Sequence, residues 1–208
     1  MSLNYKNQIK ISNFVVRKVM KNIITNTVSR LWGLMMKTTE TWEKINADIN
    51  IKNDGVKHYF LPLILINCII IYIFQLIYAN QRPIETGFIY VIINLISLIG
   101  AYFLTYKMCY FYFTKNKNQY SSKINIDRFI SYSFSIIFVT DIIISIIPSL
   151  FFLQILNIYT AYIVWEGAKI IFKLNEEEQG KLMIYTSLSI IFTPIILSKI
   201  LHLMLPAF

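Results

Sequence analysis

The sequence predicts an all-α polytopic membrane protein, with five transmembrane helices preceded by amphipathic helices on the cytoplasmic side. Three observations carry that expectation. Hydrophobic residues make up 56% of the 208, and mean hydropathy is +0.54, against roughly 45–50% apolar content in soluble domains. Apolar runs of bilayer-crossing length alternate with short polar segments. The 20 Lys and Arg residues fall almost wholly in every second segment. The net charge of +9 therefore orients the chain and marks no nucleic-acid surface, because the lysines sit between apolar blocks and not on one face of a soluble domain.

Residues 1–58 are polar and basic. From Phe14 to Met36 apolar residues return at helical spacing (Val16, Val19, Ile23, Val28, Leu31, Met35), with Arg17, Lys18, Lys21, Arg30 and Lys37 interleaved. Such a basic amphipathic helix either lies on an anionic leaflet, with those five cations as lipid-surface contacts, or packs on the protein's own helices. A second helix is expected after Thr38 or Thr39 as N-cap, with Trp42, Ile45 and Ile49 on one side, closed by a turn at Asn53-Asp54-Gly55. No apolar stretch followed by a cleavage-site pattern reads as a signal peptide, so the first span is expected to serve as the insertion signal.

The membrane domain is expected over residues 59–206. Its spans are placed at about 59–79, 87–106, 129–147, 149–168 and 182–203. Pro62 falls in the first turn of the first span, where its missing N–H costs little. The second span carries Gly87, Asn94, Ala101 and Thr105 on one face, the small-and-polar pattern of helix packing. The apolar stretch from Phe129 to Phe172 has no polar loop. As one helix it would be about 66 Å long at 1.5 Å per residue, too long for a bilayer, so the chain must turn back at Pro148. Pro194 is expected to kink the fifth span.

Counting Lys and Arg places ten before the first span, five in the second connection and three in the fourth. Only Arg82 and Lys199 fall on the other side. The N-terminus is then cytoplasmic and the C-terminus outside, in the inner membrane if the source is a bacterium.

Chemistry is sparse. Asp141 is the acid deep inside a span, where a charge costs about 2.5–3.5 kcal/mol on insertion scales. It is read either as a proton or ion pathway or as an interhelical hydrogen-bonding group, with Ser145, Asn157 or a tyrosine as partner. Glu166 shares a helical face with Tyr159, Tyr162 and Lys173, so it is expected to pair locally with the lysines near the interface. A polar intramembrane path would join Asp141 to Asn94, Asn157 or Glu166. Cys68 and Cys109 read as packed core thiols. His58 and His202 are expected at opposite ends of the membrane and cannot share a metal. No phosphate loop, nucleophile with a His partner, or paired-carboxylate spacing is present, so no catalytic residue, metal or cofactor is expected.

Several stretches carry a resemblance: RLWGLMMKTTETWEKI (Arg30 to Ile45), HYFLPLILI (His58 to Ile66), and YIVWEGAKIIFKL followed by a span with a central proline. Together with five spans after a long N-terminus, the chain resembles the Yip family of Ypt/Rab-interacting membrane proteins. Its pre-membrane segment is similar to that of the bacterial branch, although Lys37 to Thr41 reads KTTET without the usual proline. The Asp-Leu-Tyr-Gly-Pro-like element of eukaryotic members is absent. The resemblance implies a non-catalytic, membrane-organising or trafficking-type scaffold that binds membrane lipids, or a protein partner at its N-terminal region. The alternative class is a small transporter or channel built on Asp141.

Overall fold

The computed structural model describes residues 24–47, 55–79, 81–115 and 122–204, and the regular structure among them is helical throughout. Two short helices, α1 (24–36) and α2 (Thr38–Ala47), precede five helices long and apolar enough to cross a membrane. The first is α3, a π-helical turn Val56–Phe60 continuing as an α-helix over Leu61–Tyr78; the second is α4, Pro83–Lys115. The third is broken into α5 (Lys123–Ser133) and α6 (Ser135–Ile146). The fourth is a 3-10 segment, Pro148–Tyr159, running into α7 (Thr160–Phe172). The fifth is α8, Glu176–Met204, with Pro194 inside it. Arg17, Lys18, Lys21, Ile49 and the Asn53–Asp54 turn lie outside the described residues.

Each helix follows from its sequence. Ser122 caps α5 by accepting from the Asn125 N–H at 3.2 Å. Asn175 does the same for α8, its Oδ1 taking the Glu178 N–H at 2.8 Å, and three glutamates fill the first turn, where the helix dipole favours them. Thr38 is not the N-cap that its sequence context predicts. Its hydroxyl donates back to the Leu34 carbonyl at 2.8 Å, and Lys37 N–H still reaches Gly33 O, so α1 and α2 form a bent pair with its apex at Lys37. The bend brings the pair so close that a Cβ on Gly33 would lie 2.6 Å from Thr41 Oγ1, a contact only glycine avoids.

The third span is the most buried of the five, and every residue from 128 to 138 is buried. Its break at Phe134 (φ −75°, ψ −2°) arises where serines compete for the backbone. Ser133 donates to Phe129 O at 2.6 Å, and Ser135 donates to Tyr132 O. An aromatic layer sits at that level: Phe60 packs edge-on to Phe134 and Phe138 and tilted on Tyr102, while Tyr59 OH and Ser135 Oγ are 2.6 Å apart. On one side of the layer α5 is polar (KINIDRFISYS); on the other α6 is SIIFVTDIIISI. The end of the bundle that holds α1, α2, α5 and α7 is its capped end.

The chain turns back at Pro148, as the length argument requires, and α6 packs on the 3-10 segment. Beyond the proline the chain is 3-10 rather than α for twelve residues. At about 2.0 Å per residue those cover about 24 Å instead of about 18 Å, so a short segment spans the height of its neighbours.

Candidate functional site

The spans form a ring in the order α8, α4, α3, α6 and the 3-10 segment. Successive members pack against one another, except that α8 scarcely touches the 3-10 segment and rests on α7 only at the capped end. Inside the ring is a cavity of about 840 Å³, to which all five spans contribute. Its α8 wall runs from Ile191 to Leu203, about 18 Å along the axis. Pro148, His202 and Leu203 bound it at the end away from the cap.

The polar groups of the cavity belong to different helices. Asp141 comes from α6 and Asn94 and Ser97 from α4; Gln154 and Asn157 come from the 3-10 segment, and Ser198, Lys199 and His202 from α8. The Asp141 carboxyl faces the side-chain amides of Asn67 and Asn94, but neither amide atom of Asn67 closes a hydrogen bond of ordinary geometry. The partners expected for Asp141 are engaged elsewhere. Ser145 Oγ donates to the Asp141 backbone carbonyl at 2.7 Å, and Asn157 Oδ1 accepts from Thr140 at 2.7 Å. Ser97 is 3% exposed and its Oγ is without a partner, as is Asn94 Oδ1.

Of Asp141, Asn94, Asn157 and Glu166, expected along one polar path, the fold brings the first three together. Tyr159, Tyr162 and Glu166 do not line this cavity. They stand on or beside α7 at the capped end, where α2 runs along α7. Thr39 Oγ1 donates to Glu166 Oε2 at 3.1 Å, so the acid reaches across to α2 and not, as its spacing predicts, to the lysines one turn on. Tyr159 OH lies 3.0 Å from Thr38 Oγ1 and donates to Met35 O at 3.3 Å, and its ring meets the exposed Tyr162 at 5.3 Å.

Trp42 anchors this contact. It is fully buried, donates Nε1–H to Ile163 O at 2.9 Å, and packs on Phe129 and edge-on to Tyr132. Gly167 makes room for it, since a Cβ there would meet the indole at 2.7 Å. Arg30 donates to Tyr132 OH and lies over the same ring at 5.7 Å, so this cation is directed into the bundle and not outward to lipid. Lys37 stays exposed beside Glu40 at 3.4 Å. Along α1 the buried face is Thr27 and Leu34, with Leu31 and Met35 packed against the core. Ile24, Val28, Trp32 and Met36, 45–62% exposed, form an outward apolar stripe.

The model of the Yip1 domain matches residues 32–201, a stretch that takes in α2, the aromatic layer, the first four spans and the fifth up to Leu201, and so all of the cavity lining except His202 and Leu203. The chain belongs to the Yip1 domain family. No curated protein and no solved structure matches it. The matched stretch begins at Trp32, so in this Yip1-domain protein the Trp42 anchor and its Gly167 seat belong to the domain itself. Asn67, Ser97, Gln154 and Lys199 were not expected at the site. The lone intramembrane acid Asp141, with Asn157 and the small-and-polar face of the second span that includes Asn94, pointed toward it. Cys68 and Cys109 are both buried and free, as expected.

Proposed function

We propose that this Yip1-domain chain is a non-catalytic, membrane-organising scaffold. Its N-terminal side is cytoplasmic, and its capped end engages the lipid interface. The observation that supports this reading is the outward stripe Ile24, Val28, Trp32 and Met36 on a helix whose other face is held by Leu34, Thr27 and the neighbouring Trp42. A rigidly seated helix with exposed apolar residues and a tryptophan suits the headgroup boundary. The basic residues on that side, apart from Arg30 and the buried Arg128, favour an anionic leaflet by about 1 kcal/mol each when near the surface.

The test uses the full chain in bilayers whose lipids are brominated near the headgroup. Trp32 should account for most of the tryptophan quenching, and Trp32→Phe should abolish that component. Equal quenching in the variant would refute lipid contact and leave a protein partner for the stripe. A second reading, solute transport, is favoured by the polar cavity around Asp141. Proteoliposome flux that Asp141→Asn abolishes with folding intact would replace the scaffold reading.

A further inference from the structure

We propose that the cavity inside the ring is a lateral binding site for the head group of a zwitterionic phospholipid, with the ammonium at Asp141 and the phosphate toward Lys199 and His202. Asp141 and Lys199 line one cavity from α6 and α8, two helices that are not neighbours in the ring, yet no ion pair joins them. An acid and a base that share a cavity without meeting are complementary to a ligand that carries both charges at a separation. The acid in particular lacks a counter-charge, because the amides of Asn67 and Asn94 that it faces are neutral, and a carboxylate at that depth is costly.

Three further features fit that ligand. The buried Ser97 Oγ and the Asn94 Oδ1 lack partners in the cavity wall, which leaves hydrogen-bonding capacity for a polar head. A volume of about 840 Å³ is that of an organic ligand site and far exceeds what a bare cation needs. The seam between α8 and the 3-10 segment, sparsely packed away from the cap, lets acyl chains leave sideways. Ile144, Ile195 and Leu203 line the cavity, and Ile195 and Leu203 are exposed. Tyr90, whose ring meets His202 at 5.3 Å, is the other titratable group in the wall.

The full chain, purified in mild detergent, is incubated with equal amounts of phosphatidylethanolamine, phosphatidylcholine and phosphatidylglycerol, and the retained lipid is counted by native mass spectrometry. Phosphatidylethanolamine should exceed phosphatidylglycerol about tenfold. Asp141→Asn should erase that ratio, as expected for losing one partner of a buried charge contact; Lys199→Gln should lower retention of both zwitterions. Ser198→Trp keeps both charges but narrows the cavity, and should block retention even if Asp141→Asn fails to fold. Glu85→Gln, at an exposed site, should change nothing. Equal retention of all three lipids, an unchanged ratio in Asp141→Asn, or displacement by soluble phosphoethanolamine as readily as by lipid would overturn the proposal. The capped-end reading stands or falls separately, on quenching at Trp32.

Discussion

Pro62 shows how a single residue shapes this fold from a distance. It has no N–H to offer the His58 carbonyl four residues earlier, the preceding turn is π-helical, and Thr27 of α1 donates to that carbonyl at 3.1 Å. A proline in the first span thus creates the acceptor that fixes the start of α1. Trp42 contributes more, with its indole N–H satisfied and its rings in contact with Phe129 and Tyr132. Trp42→Ala should cost about 3–5 kcal/mol, and Thr27→Val about 1 kcal/mol for the lost, part-buried hydrogen bond. Thermal unfolding of the detergent-solubilised chain measures both. A Trp42→Ala melting curve that overlays the wild type would show that α2 is not held by this side chain.

At the level of elements, α1 is a helix with two different apolar surfaces. Leu34 is fully buried, while Met36, two residues on, is 60% exposed. Leu34→Asp should therefore unseat the helix and destabilise the protein by several kcal/mol, about the cost of an unpaired buried charge. Val28→Asp and Met36→Asp should stay within about 0.5 kcal/mol. Chemical denaturation of the three variants reads this directly, and equal losses in all three would mean that the outward stripe is covered. The 3-10 segment makes the complementary point: Phe151, Phe152, Ile155 and Ile158 are all more than half exposed, as suits a segment facing acyl chains on one side and the cavity on the other.

For the molecule as a whole, five helices long and apolar enough to cross a membrane predict chain ends on opposite faces of the bilayer, and the charge count predicts which end is cytoplasmic. With Cys68 and Cys109 buried, introduced thiols report topology over a low background. Gln81→Cys, in the short connection between α3 and α4, should label with an impermeant reagent from outside intact cells, and Asn118→Cys only after permeabilisation. The reverse pattern would invert the protein, and labelling of both from outside would remove a span.

The number of spans, the hairpin at Pro148, the packed face of the second span and the burial of Trp42 and Ile45 were all legible in the chain. Each depends on periodicity, length or charge, properties that act locally and are written in adjacent residues. Tertiary structure decided what depends on distance. Glu166 and Asp141 looked like members of one polar path because both are acids near apolar runs, but the fold sends one to Thr39 of α2 and the other into the ring cavity. The buried face of α1 includes Leu34 and excludes Val28, because the bend at Lys37 turns the helix against α3 and α5. The cavity itself is formed by side chains as far apart in the chain as Asn94, Asp141 and Lys199. No local pattern can encode it, since it exists only where α8 stands away from the 3-10 segment.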